Sequence, residues 1–288
     1  MSAIYKRELS AYFKGMFGYV VALFLLLITG IYMVVYNLLS GYPSFEYVLS
    51  AVTFLYLLIV PILTMRSIAE ERRQRTDQLL YSLPVSMTQV VLGKFFATLT
   101  VLALPLLIMC LYPLILTAFG TVNLMGAYSG LIGFFLLGAA LIALGIFLSS
   151  LTENQAVAAG LSFGCILLVY LMRALANNLV PASAFGSYVA LTVVVLLIAL
   201  ILWLMTKNLT LALAVAVVLE ILLSTCYMLW NNAFIGLFGN LIAQLSLFER
   251  LNNFLNGVFD LRAVVYDLSF AGVFLFLTIQ ALEKRRWS

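Results

Sequence analysis

The sequence predicts an all-α polytopic membrane bundle of about eight transmembrane helices, or six if the weakest pair is dropped. Three observations carry that reading. Of 288 residues, 65% are hydrophobic and 9% charged, with a mean hydropathy of +1.16, whereas soluble domains carry about 25% charged residues. Apolar runs reach the roughly 20 residues that a helix needs to cross a hydrocarbon core of about 30 Å. No period-two alternation marks barrel strands, and lipid offers an open backbone no hydrogen-bond partner, so helices must be the spanning element.

The first element, within 1–16, reads as an amphipathic helix lying in the membrane interface. Tyr5, Leu9, Tyr12, Phe13 and Met16 share one helical face, with Arg7, Ser10 and Lys14 opposite. It does not read as a cleavable signal peptide, because the apolar run that follows is too long and no small-residue cleavage site closes it. Spans are expected at about 17–39, 46–66, 93–118, 125–149, 156–175, 186–205, 209–230 and 264–282. The sixth and seventh are joined only by Thr206-Lys207-Asn208, and losing both leaves six. With the N-terminus cytoplasmic, 12 of the 15 Lys/Arg fall on the inside, leaving Arg173, Arg250 and Arg262 outside. An even span count puts both termini on the cytoplasmic face.

Two connections are unusual. On the inner side, 67–92 is charge-dense: Glu70, Glu71, Arg72, Arg73 and Arg75 precede Thr76, Asp77 and a patch of Leu79, Leu80 and Leu83. Its first part extends the second span as a helix. A short crosswise helix then ends near Leu83, because Pro84 disfavours helix for the residue before it. Ser86-Met87-Thr88-Gln89 matches a capping box that opens the next helix. From the residues alone, this segment reads either as a lever that receives motion from a cytosolic partner or as a loop binding anionic lipid heads. On the outer side, 231–263 is too polar to span. Phe234, Phe238, Leu241, Leu245 and Phe248 recur on one helical face, and Leu251, Phe254, Leu255 and Val258 continue a second, shorter one. Two short amphipathic helices are expected there, serving as a lid, an outer gate, or both.

Chemistry-bearing residues are few. Histidine is absent, and Cys110, Cys165 and Cys226 each sit in apolar runs without a metal-binding spacing. No nucleophile–base pair stands out, and no Gly-x4-Gly-Lys-Ser/Thr phosphate loop occurs: Gly93-Lys94 is followed by Phe95. A net charge of +4 is too small to indicate nucleic acid. Glu220, in the seventh span, is read as the one carboxylate within the spans. It would face protein or water, with Ser224 one turn away as a hydrogen-bonding neighbour; structural hydrogen bonding is favoured over substrate contact. Gly126/Gly130, Gly138/Gly145 and Gly160/Gly164 stand at spacings that permit close helix approach, in the bundle or between chains.

The run Glu71-Arg72-Arg73-Gln74-Arg75-Thr76-Asp77-Gln78-Leu79-Leu80, then Leu83-Pro84-Val85-Ser86 and Gly93-Lys94, resembles the signature of ABC-2 type transporter permeases. That signature usually reads Glu-Arg-x-x-Gly-Thr, an acid before Leu-Leu, a proline, and Gly-Lys at the next helix; here Arg75 replaces the glycine and Gln78 the acid. The carboxyl end, Phe254 to Arg262 and Leu282 to Trp287, is similar to the gliding-motility and nitrous-oxide-reductase-maturation branch. The resemblance implies a single permease domain over 1–288 in a bacterial inner membrane, itself non-catalytic and without a cofactor of its own. ATP and Mg would be bound by separate nucleotide-binding ATPase subunits, and a second permease chain would pair with this one in the bilayer. The ATPase-coupling residues it implies are Glu70, Glu71, Arg72, Arg73, Thr76, Asp77, Leu79, Leu80, Leu83, Pro84 and Ser86, with a second turn at Thr152, Glu153 and Asn154. A membrane anchor or mechanical transmitter for an ATPase, and an ATP-independent secondary transporter, are the alternatives; one intramembrane acid and no evident inverted repeat weigh against the latter.

Overall fold

The computed structural model describes residues 1–76, 86–179, 183–206 and 209–286. Among them the regular structure is helical throughout, and six helices are long and apolar enough to cross a membrane: Phe17–Leu39, Phe45–Arg73, Met87–Thr117, Leu124–Leu151, Gln155–Met172 and Leu261–Arg285. The protein is therefore a polytopic helical membrane protein. Chain contacts divide it into two compact units: Met1–Leu168 with Arg250–Ser288, and Val169–Glu249.

The first unit opens with α1 (Ser2–Lys14), then turns sharply at Met16, whose φ of 58° is left-handed, into α2 (Phe17–Met33). A π-helical stretch, Val34–Leu39, completes that span. The second span is a segmented run: α3 (Phe45–Val52), a 3-10 turn (Thr53–Leu55), α4 (Tyr56–Thr64) and α5 (Ala69–Arg73). The third span joins α6 (Met87–Met109) to α7 (Leu111–Thr117). It starts as its sequence requires, with the Ser86 hydroxyl accepting from the Gln89 backbone N–H at 3.3 Å.

The helix α8 (Leu124–Leu151) is the centre of this unit, with 78% of its apolar window buried. Lipid tails are as apolar as leucine, so burial of α8 rests on tight packing rather than on escape from water. Its glycines permit that packing. A Cβ added at Gly133 would lie 2.6 Å from the Phe254 ring, at Gly138 2.5 Å from Leu102, and at Gly145 2.4 Å from Thr64. Beside Gly138, the Tyr56 ring stacks on Phe134 at 4.4 Å and its hydroxyl donates to the Phe134 carbonyl at 2.6 Å. By contrast, Gly160 and Gly164, on α9 (Gln155–Leu179), meet nothing within 4 Å. Among the described residues no neighbour packs against them.

The unit closes with α14 (Leu261–Arg286), which packs along α8. Before it, α10 (Ala184–Thr206), α11 (Leu209–Leu229), a 3-10 turn (Asn231–Phe234) and α12 (Leu237–Leu245) belong to the second unit. The helices α10 and α11 form where the sixth and seventh spans are expected, though their described apolar stretches, Ala184–Leu200 and Leu213–Leu229, are shorter than the other spans. The amphipathic segment yields α12 and α13 (Leu247–Leu255), broken at Ser246, so Phe248 belongs to the second helix rather than the first. On α13, Leu247, Leu251 and Phe254 are buried.

One expectation is corrected. Glu220 is not the sole carboxylate within the spans. Asp267 lies in α14 with 4% exposure, and Glu46 opens α3 at the edge of the second span. Both positions fall inside predicted spans, where the sequence already displays them.

Candidate functional site

The densest polar cluster forms where the second span stops being continuous helix. Between Thr64 and Ala69 the backbone turns, which frees main-chain groups that lipid cannot satisfy. Neighbouring helices supply the partners. The Ser149 hydroxyl accepts from the Ile68 and Ala69 N–H groups at 3.3 and 3.1 Å, and Lys94 Nζ donates to the Ser67 carbonyl at 2.7 Å.

Lys94 is the hub. Its ammonium is 2% exposed and stands 3.0 Å from Glu8 Oε1 on α1 and 2.9 Å from Glu71 Oε1 on α5. Arg7, half-exposed, closes the ring from the other side, 2.8 Å from Glu8 and 2.6 Å from Glu71. Two cations thus face two carboxylates, leaving the node electrically balanced, as a largely buried charge cluster must be. Burial acts most strongly on Glu8 and would raise its pKa. The Lys94 charge, with hydrogen bonds from Arg7 and Lys94, overrides it and holds the carboxyl below its ordinary 4.5.

The helix α1 is consequently tied to the bundle. Tyr5 shares a 3.0 Å hydrogen bond with Thr100, and Tyr12 donates to the Leu63 carbonyl at 2.8 Å. Burial lifts the Tyr12 phenol to about 12. Gly93 gives α1 its seat: a Cβ there would lie 3.0 Å from Ile4.

Beyond the node, α5 ends in a Schellman-type turn. The Arg75 N–H donates to the Arg72 carbonyl at 3.0 Å and the Thr76 N–H to the Glu71 carbonyl at 2.9 Å. The residue after such an end is left-handed, and Arg75 has φ of 56°. The position where the resembled signature has glycine is therefore one whose backbone favours glycine.

The expected coupling residues fall into groups. Glu71 joins the node. Glu70 pairs loosely with Arg66 at 3.8 Å. Arg72 is buried, whereas Arg73 and Thr76 are exposed, and Ser86 caps α6. Asp77, Leu79, Leu80, Leu83 and Pro84 lie outside the described residues. In the second turn, Thr152 and Asn154 are used locally: the Thr152 hydroxyl accepts from the Asn154 N–H at 3.2 Å, and the Asn154 carboxamide accepts from the Ala156 N–H at 2.9 Å. Glu153 pairs with Arg285 near the end of α14. This turn follows the end of α8 that carries Ser149, so both expected coupling segments share one end of the first unit.

Glu220 belongs to the second unit. Its carboxylate accepts from the Tyr188 hydroxyl at 2.8 Å and from the Thr192 hydroxyl at 3.2 Å, both on α10. The expected neighbour Ser224 instead donates to the Ile221 carbonyl at 3.0 Å. In the sequence Arg7 stands out only as part of the polar face of the first helix and Lys94 only as part of the Gly93-Lys94 signature, and Glu8 is not singled out at all. Two signals point to them: Lys94 stands just inside a predicted span, where a cation needs a partner, and Glu8 is the only acid before Glu46.

The first unit is a multi-pass helical membrane bundle whose broken second span is tied to its amino-terminal and third-span helices by a balanced ion network. Residues 27–180, more than half of the chain, match the ABC-2 family transporter proteins. The chain belongs to that family. No curated protein matches it. It is thus a membrane-embedded permease component of an ABC transporter, of a family that normally works with ABC ATPase subunits and is generally non-catalytic itself.

Proposed function

We propose that the chain is the permease subunit that couples ATP hydrolysis in separate nucleotide-binding subunits to export or extraction of a substrate across a bacterial inner membrane. In this reading both termini and the 67–92 segment are cytoplasmic. The whole chain acts as one permease domain, paired with a second permease chain, and ATP and Mg belong to the partner ATPases. The carboxyl-terminal resemblance favours the gliding-motility and nitrous-oxide-reductase-maturation branch.

One observation supports this reading above the others. Lys94 joins α1, α5 and α6 at the charged end, so force applied to the segment after Arg73 passes into three helices together rather than into a slack loop. A lipid-binding loop needs no such anchorage. Docking is assigned to Arg73, Thr76 and the apolar patch of Leu79, Leu80 and Leu83, with Glu71 as the rigid root.

The test replaces Leu79, Leu80 and Leu83 together by aspartate and co-purifies the protein with its ATPase. The expected result is loss of the ATPase with unchanged membrane insertion. An ATPase that stays bound to the triple variant would refute this docking site.

A further inference from the structure

The node gathers at the far end of the second span, and at the beginning of that span the first unit holds a polar cavity. Its volume is about 540 Å³, and its lining is Ser44, Glu46, Tyr47, Ser50, Asn123, Asn252, Leu255 and Asn256. That volume falls within the ~300–1,000 Å³ typical of small-molecule sites and is far larger than a bare ion needs.

The walls are built rather than incidental. The buried Asn37 side chain donates to the carbonyls of Tyr42 and Ser44, at 2.7 and 3.1 Å, and so fixes the loop that carries Ser44. The Asn123 carboxamide caps α8, accepting from the Gly126 N–H at 3.2 Å. The 252–256 stretch is followed by a turn at Gly257, φ 76°, and that turn is tied down where Asn253 donates to Asp260 at 2.8 Å. Glu46 Oε1 is seated against Gly126, where an added Cβ would lie 2.2 Å from it. Glu46 Oε2 is closed off from solvent and accepts no hydrogen bond from the protein.

The lining selects a class of ligand. Among the described residues, Glu46 supplies the one formal charge of the lining and no Lys or Arg contributes, so an anion is repelled. A bare divalent cation prefers six or more oxygens, several of them anionic, and one carboxylate falls short. An ammonium group suits the lining: the Glu46 carboxylate supplies the counter-charge, amide and hydroxyl oxygens accept from its N–H groups, and the Tyr47 ring offers a π face.

We propose that this cavity binds a primary ammonium group carried on a small polar molecule. The site stands on the first unit alone and is independent of how an ATPase docks. Its ammonium can come from a soluble amine or from the headgroup of an ethanolamine phospholipid.

The test uses the full chain. Saturation-transfer NMR in detergent compares ethanolamine with its neutral isostere ethylene glycol, and native mass spectrometry from nanodiscs compares retained phosphatidylethanolamine with phosphatidylglycerol. The expected result is at least a tenfold preference for the ammonium probe in one arm, lost in Glu46→Gln. Preference in the first arm assigns a soluble amine, and preference in the second assigns the lipid headgroup. Equal signals from ammonium and neutral probes in both arms, or a preference that survives Glu46→Gln, overturn the proposal. Should Glu46→Gln fail to fold, Asn256→Leu serves instead: it keeps the charge, removes an amide from the wall, and is expected to weaken ammonium binding severalfold. Unchanged binding in that variant counts against the site.

Discussion

Two carboxylate environments in this protein solve the same problem differently. At the node, Glu8 on α1 and Glu71 on α5 are matched by Lys94 on α6 and Arg7 on α1. In the second unit, Glu220 is met by two neutral hydroxyls of one helix, Tyr188 and Thr192. The first arrangement binds three helices through full charges, so losing one member strands the rest. The second ties α11 to α10 through hydrogen bonds, whose net worth is smaller and more local. A charge network therefore suits a place that must move as one body, and a hydroxyl pair suits the stapling of two neighbouring helices.

The largest expected effect comes from breaking the node. Lys94→Met removes the hub and leaves Glu8 and Glu71 with Arg7 alone, a loss of about 3–5 kcal/mol for a buried network. It should appear as a lowered thermal midpoint and as loss of a disulfide engineered between Tyr5→Cys and Thr100→Cys. Acid should do this reversibly. Because the Glu8 carboxyl is held below 4.5 in the folded protein, its stabilisation is full above about pH 4.5 and is lost as pH falls through its depressed value. Cross-linking efficiency followed between pH 7 and 3 would reveal that fall, and an α1 that stays docked throughout would show that apolar contacts alone hold it.

The hydroxyl pair should yield less. Tyr188→Phe leaves Glu220 with the Thr192 hydroxyl, and the expected result is a smaller drop in midpoint than that of Lys94→Met, with α1 cross-linking unchanged. An effect equal to that of Lys94→Met would erase the distinction between the two environments. The smallest change has the opposite sign. Arg75→Gly relieves a left-handed residue at the end of α5 and should stabilise by about 1 kcal/mol, provided the Arg75 side chain holds nothing in return. Unchanged or lowered stability would show that it does.

Much of this was legible beforehand, for definite reasons. The Ser86 cap was readable because a capping box is local, set by residues three apart. The amphipathic pair after Trp230 was readable from a 3.6-residue period, though not its break at Ser246. Arg75 was legible as a departure from a glycine position, and the backbone shows why glycine belongs there. The node was hidden because its members lie far apart: Glu8 and Lys94 are separated by 86 positions, and no local pattern joins them. Gly160 and Gly164 show the complementary point, since spacing permits close approach but does not by itself supply a neighbour within the chain.

By itself the sequence determined that the chain lives in lipid, roughly where its apolar helices lie, and which family it resembles. Those properties follow from apolar run length and short-range backbone chemistry, which act within a few residues. Only the tertiary structure decided that α1 is clamped to the third span through Lys94, that the break in the second span is stitched by Ser149, and that Glu46 faces a walled cavity. Each of these depends on which helix comes to lie against which, and in a membrane that choice is made by close packing and by pairing of the few polar groups, neither of which leaves a mark on any one stretch of chain.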